Sequence, residues 1–190
     1  LSDDLIMKIE ERVNERVNAN VDTKIEYLSL EEAKKKGAMA LFDDKYGDVV
    51  RVVTIGDSIE LCAGTHVKNT KEIERIAIIS VENKGADTFR MEGTTKNHIQ
   101  ELLQVAIDPY QEEIKKLLTK AKNILLEAKE KNIVLDFDYQ FEDEELISYQ
   151  SIVSYKEKLK ELKESIKKLE KDYKTLKMQN SITDITAFTT

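Results

Sequence analysis

Beyond residue 98 the chain contains no glycine, and its apolar residues recur in alternating steps of three and four. Leu103, Ile107, Tyr110, Ile114, Leu117, Ala121, Ile124 and Ala128 form one series. Ile152, Tyr155, Leu159, Leu162, Ile166, Leu169, Tyr173 and Leu176 form the other. Side chains so spaced line one face of a helix, so each series predicts a long helix whose apolar seam needs a partner. The simplest assembly is an antiparallel coiled-coil hairpin in which each seam buries the other. Parallel pairing with a second chain is the rival, and it would make the protein self-associate. Asp108-Pro109 interrupts the first series. Proline removes a donor and crowds the preceding turn, so a kink or a restarted helix is expected there. Between the seams, Leu135, Phe137, Tyr139 and Phe141 alternate with Asp136, Asp138 and Gln140, the pattern of an extended segment laying its aromatics on the helices.

The first half is different in kind. Ser2 is placed to cap a helix with Asp3 and Asp4 in its first turn, and Leu5, Ile9, Val13 and Val17 give it one apolar stripe. Val21 to Leu28 reads as a strand. Ser29 and Glu32 then form a capping box for a short helix that Gly37 stops. Val49 to Ile55, Ile59 to Cys62, Ile73 to Val81 and Thr88 to Glu92 read as further strands, with a turn at Lys84-Gly85. The fold class is therefore α+β. Helices cover one face of a small antiparallel sheet over residues 1–98, an all-α hairpin occupies 99–180, and a weakly patterned tail fills 181–190.

Composition narrows the function. The net charge is -7, so the chain as a whole is not an electropositive clamp for DNA or RNA. No apolar run approaches the roughly 18 residues of a membrane span. A single cysteine cannot form an internal disulfide, which favours a reducing, cytoplasmic setting. The chain opens on Leu rather than Met, as a piece of something longer would.

One stretch looks chemical: Cys62-Ala63-Gly64-Thr65-His66. A thiolate and an imidazole four positions apart, around a glycine that permits a bend, can point at one cation, and zinc accepts that donor mixture. Read alone, the pair is more readily a buried cysteine beside a surface histidine; a Cys-His nucleophile pair, lacking an orienting group, is a remote third reading. The other histidine, His98, opens a helix.

The neighbourhood carries a resemblance. Gly37-Ala38-Met39-Ala40-Leu41-Phe42, Lys45-Tyr46-Gly47-Asp48-Val49-Val50-Arg51-Val52-Val53 and Glu60-Leu61-Cys62-Ala63-Gly64-Thr65-His66-Val67 follow one another at the spacing of alanyl-tRNA synthetase editing domains. Ile9-Glu10 and Val13-Asn14 are similar to the helix that precedes those segments. The resemblance covers roughly residues 1 to 95 and implies an editing-type domain followed by a helical hairpin. In that family zinc is held by this Cys-x-x-x-His motif together with a His-x-x-x-His motif well upstream. The upstream motif is absent here, so Cys62 and His66 carry over as half a zinc site, weak or empty in these residues alone. ATP and magnesium would enter only through other domains.

The implied activity is hydrolysis of the ester joining serine or glycine to alanine tRNA, with that tRNA as partner and these residues inactive by themselves. The alternative is a non-catalytic spacer, oligomerisation or RNA-binding module. Thr65 is a candidate catalytic hydroxyl, with a local turn hydrogen bond as its plainer use. Asp57 and Glu60 are candidates to support His66, against exposed loop charge. Lys45, Arg51 and Arg90 are candidates for tRNA phosphate. Lys156, Lys158, Lys160, Lys163, Lys167, Lys168, Lys171 and Lys174 are interleaved with Glu157, Glu161, Glu164, Glu170 and Asp172, which favours a solvated helix face over an RNA track.

Overall fold

The computed structural model describes residues 1–39, 47–142 and 144–187, with side chains described through residue 180. They form two compact units, Leu1–Ile99 and Gln100–Thr190. No described helix is long and apolar enough to cross a membrane. The class is α+β, as the sequence predicts.

In the first unit, α1 (Asp3–Asn18) is capped by Ser2, whose Oγ accepts the Leu5 amide at 3.3 Å. β1 (Thr23–Ser29), β2 (Val49–Ile55) and β3 (Ser58–Leu61) form an antiparallel sheet in that order. The short helix α2 (Leu30–Lys35) leaves β1 through the expected capping box. Ser29 Oγ accepts the Glu32 amide at 3.3 Å, and the Glu32 carboxylate accepts the Ser29 amide at 3.0 Å. Gly37 follows with a left-handed φ of +82°, which lets the helix end. Val50, Val52 and Leu28 share the sheet face that Ala33 and Ala38 cover, with Ile59 and Leu61 alongside. β2 and β3 turn on Gly56-Asp57, with φ +62° at Gly56, the left-handed value that primed hairpin turns require.

β4 (Ile76–Gly85) and β5 (Thr88–Thr95) are a separate two-stranded ribbon, so the predicted single sheet is in fact two. Its turn lies at Ala86-Asp87, both with positive φ, rather than at Lys84-Gly85. One of the two-residue turns that match the strands' twist, type I′, has left-handed backbone at both central positions, and here Ala and Asp supply it.

The apolar stripe expected on α1 holds at Val17 and is displaced by one residue at its start. Ile6, Glu10 and Val17 are the buried positions, while Leu5 is exposed. The reason is polar. Glu10 is only 5% exposed because its carboxylate accepts the Ile78 amide at 2.6 Å. One turn later, Asn14 accepts the Ile76 amide and donates to the Ile76 carbonyl, each at 2.9 Å. Four residues apart, the two side chains lie on one helix face and satisfy the edge of β4 that β5 leaves open.

In the second unit, α3 (His98–Glu130) runs through Pro109 as one helix and does not restart. α4 (Tyr149–Ala187) continues into the weakly patterned 181–190 stretch. Both seams are inward. Leu103, Ile107, Ile114, Ala121 and Ala128 are buried on α3, and Ile152, Tyr155, Leu162, Ile166 and Leu169 on α4.

The helices are parallel, which corrects the antiparallel hairpin. Gln111 bonds Tyr155, and ion pairs join Glu113 to Lys163, Lys120 to Glu170 and Glu127 to Lys177, so partners advance together along both helices. The connection makes this possible. α3 is about 50 Å long at roughly 1.5 Å per residue, and residues 131–148 in extended form reach about 60 Å, enough to return to its start. That return segment runs against α4: Tyr139 donates to the Lys158 carbonyl, Phe141 meets Tyr155 edge-on at 5.7 Å, and Ser151 donates to the Glu145 carbonyl. Ile133, Leu135, Phe137, Tyr139 and Phe141 face inward and their intervening neighbours face out, as their alternation implies. α3 ends in a Schellman motif, with Asn132 at φ +57° and the Ile133 amide reaching the Ala128 carbonyl at 2.8 Å.

Candidate metal-binding bend and its cavity

At the end of β3 the chain leaves the sheet. The Cys62 amide still donates to the Arg51 carbonyl at 3.2 Å, continuing the ladder by one rung. The carbonyls of Cys62 and Gly64 then have no strand partner, and the Arg51 side chain supplies one. Its Nη1 donates to both, at 2.5 and 2.8 Å. Arg51 is a sequence candidate for tRNA phosphate, yet its guanidinium is engaged in holding this bend.

The bend closes one wall of a cavity of about 750 Å³ inside the first unit. α1 contributes Arg12, Glu15 and Arg16, the β2–β3 hairpin contributes Val53, Ile55 and Glu60, and the bend contributes Cys62 and His66. Thr70, on the 3₁₀ turn Thr70–Ile73, also lines the cavity and pins α1 in place. Its hydroxyl donates to the Val17 carbonyl at 3.1 Å and accepts the Val21 amide at 2.9 Å. The Asn69–Glu72 capping box that starts this turn is legible in the sequence as an asparagine followed three residues later by a glutamate.

Of the candidate residues, Cys62 and His66 both line the cavity, and the thiol is free. His66 Nδ1 is buried and, among the described residues, has no hydrogen-bond partner. Neither Asp57 nor Glu60 orients it. Asp57 pairs with Arg16 at 3.0 Å on the surface, and Glu60 accepts from Ser58 at 3.1 Å. Thr65 is on the exposed side of the bend, outside the cavity lining. Gly64 has no left-handed φ, and a Cβ there would stand 3.6 Å from Cys62 Sγ, so the bend does not require glycine for its backbone angle. Arg90 and His98 are exposed and lie away from the cavity lining. Ala40, Leu41, Phe42, Lys45 and Tyr46 fall outside the described residues.

An orphaned buried imidazole nitrogen and a free thiol on one cavity are donors of the kind zinc takes. They supply two positions of four. Among the described residues no group of three or more His, Cys, Asp or Glu is gathered for a metal. Cys62 and His66 match zinc in donor type, and the described residues bring no third donor beside them.

A minority of the α4 lysines are engaged. Lys163 and Lys177 pair with α3 carboxylates, and Lys158 lies over the rings of Phe141 and Tyr155 while its Nζ bonds Glu142 O and Glu144.

Residues 50–92 match the family described as the threonyl and alanyl tRNA synthetase second additional domain. The β2–β3 hairpin from Val50 onward, the bend and most of the β4–β5 ribbon lie within that match. The chain is 45% identical over 123 residues to the alanine–tRNA ligase of Bacillus cereus, covering 64% of this chain and 14% of that protein. It is 44% identical over 123 residues to the Bacillus anthracis alanine–tRNA ligase, with the same coverage. It is 35% identical over 170 residues to that of Aster yellows witches'-broom phytoplasma, covering 87% of this chain and 19% of that protein. The chain belongs to the alanyl-tRNA synthetase family, spanning under a fifth of the length of these relatives.

Proposed function

We propose that this segment contributes half of a zinc-dependent site that hydrolyses wrongly charged alanine tRNA, carrying serine or glycine, within a full-length synthetase. The observation that carries the reading is the free Cys62 thiol and the unpartnered Nδ1 of His66 lining one cavity. Cys62 as thiolate and His66 through its neutral ring would hold the ion, with the remaining donors supplied from outside these residues. A bound zinc ion supplies Lewis acidity toward a carbonyl or a water.

The rest is the chain's own work. Val53, Ile55 and Leu61 give the cavity an apolar side that limits bulk water. Arg12 and Arg16 put two guanidiniums in its lining, each paired with a carboxylate on the protein surface. Arg51 keeps the donor-bearing bend closed. With two donors these residues alone bind zinc weakly and do not turn over substrate.

The full-length protein tests this. Zinc content and hydrolysis of serine-charged alanine tRNA should both fall in Cys62→Ser and His66→Ala. A folded, zinc-loaded full-length protein with no hydrolysis overturns the reading. The non-catalytic alternative, a platform with a helical spacer, draws on the absence of a third donor among the described residues. Zinc-free full-length protein would favour it.

A further inference from the structure

We infer that Arg51 is the positioning residue of the Cys62/His66 pair: it fixes the bend from which both donors enter the cavity. The inference rests on the metal reading above, and its test separates the two.

Three contacts tie one residue to the bend. The Arg51 carbonyl accepts the Cys62 amide at 3.2 Å, and its guanidinium Nη1 donates to Cys62 O and Gly64 O at 2.5 and 2.8 Å. A single nitrogen drawing two carbonyls spaced by one residue onto itself forces the peptide planes at 62 and 64 to face the sheet. The backbone at those two positions is held on the sheet side, while Cys62 and His66 both line the cavity. β3 has ended at Leu61, and past the rung made by the Cys62 amide no strand donor among the described residues reaches the carbonyls of Cys62 and Gly64. Gly64 does not do it either, having no left-handed φ.

The side-chain type matters. Guanidinium is charged at all working pH values and planar, so its direction is set by its stem, and half-buried charged donors hold carbonyls more firmly than neutral ones. Lysine offers a compact charge on a flexible stem that can reach the same carbonyls without fixing their direction. Arg51 sits midway along β2, opposite Tyr27 of β1 in the register, so its Cα is anchored on a sheet rather than on a loop.

Cobalt(II) is the probe, since its thiolate-to-metal charge-transfer band reports cysteine ligation directly. The full-length synthetase, stripped of its zinc so that the donors outside these residues are present, is titrated with cobalt as wild type, Arg51→Met, Arg51→Lys and Cys62→Ser. The expected result is a saturable band in the wild type that Cys62→Ser abolishes. Arg51→Met should raise the cobalt dissociation constant tenfold or more, and Arg51→Lys should recover part of that loss. Folding is followed in the same samples by the amide spectrum of β2 and β3, which should persist in both variants. Arg51→Lys keeps the charge should Arg51→Met fail to fold. A wild-type affinity and band in folded Arg51→Met, or in Arg51→Lys where Arg51→Met is unfolded, overturns the positioning role and leaves the metal reading standing. A wild-type full-length protein without a band that depends on Cys62 overturns the metal reading, and the positioning role falls with it.

Discussion

Replacing Asn14 by alanine tests whether polar contacts set the inward face of α1 and, through it, the cavity wall that carries Arg12 and Arg16. The side chain accepts the Ile76 amide and donates to the Ile76 carbonyl, each at 2.9 Å and part-buried, and a third bond reaches the Glu10 carbonyl at 3.0 Å. A neutral hydrogen bond contributes about 0.5–1.5 kcal/mol net, so losing the two that cross to β4 costs about 2 kcal/mol, roughly a 30-fold change in the unit's unfolding equilibrium. Aspartate separates geometry from charge. Asn14→Asp keeps an acceptor for the Ile76 amide but turns the donor into an acceptor facing two carbonyl oxygens and the neighbouring Glu10. It should cost more than alanine at neutral pH. Protonation restores a donor, so the folded-state pKa of the introduced carboxyl is raised above its unfolded value. The favourable protonated form is then fully present below the unfolded pKa and lost as pH rises through the folded one. Urea unfolding followed by the amide signals of β4 and β5 reads this unit separately from the helical one. An Asn14→Ala cost below about 0.5 kcal/mol, with the Ile76 amide still protected from exchange, would refute the reasoning, as would an Asn14→Asp no worse than alanine.

Other expectations follow from single contacts. Asn132 holds a left-handed φ of +57° at the end of α3, so Asn132→Gly should raise stability by roughly 0.5 kcal/mol and Asn132→Val should lower it by about 1–2 kcal/mol, read from thermal melts. Hydrogen bonds from Lys131, Tyr173 and Lys177 hold the Glu127 carboxyl down to about 2, from 4.5. Its stabilising contribution is complete above about 4.5 and lost as pH falls through 2. A carbon-13 titration should show this low midpoint, and added salt should move it upward because the cluster is exposed. Gly64→Ala should change stability by less than about 1 kcal/mol while slowing modification of the Cys62 thiol, since the added methyl would stand 3.6 Å from Sγ; unchanged thiol reactivity would argue against that placement.

Periodicity made the helices legible and left their direction open. The seams on α3 and α4 are the buried faces, because a step of three and four can only mean one side of a helix. Direction depends on the connection. Residues 131–148 are far longer than the roughly 2–8 residues that join antiparallel neighbours. An alternating apolar pattern of that length, without a strand to pair, is what a return path along a helix looks like. In the first half the stripe on α1 misleads for the opposite reason. A hydrophobicity count places glutamate and asparagine outside, yet the unpaired edge of β4 needs acceptors and a donor, and only those side chains on α1 provide them.

The same logic governs the site. Cys62 and His66 could be proposed as donors because metal ligands form a short chemical menu, but residue type and spacing alone favoured a plain buried cysteine, and it took the resemblance of the surrounding segments to single them out. Arg51 could not, since its partners are carbonyls, which every residue has. Its role exists only once β2 and β3 are paired and the chain past Leu61 has turned away. A donor pair is chemistry written in side chains, whereas the scaffold that aims it is written in backbone, and sequence motifs report the first far better than the second. The bend should therefore tolerate changes at Ala63, which is exposed, more readily than at Arg51, eleven residues before the cysteine it serves.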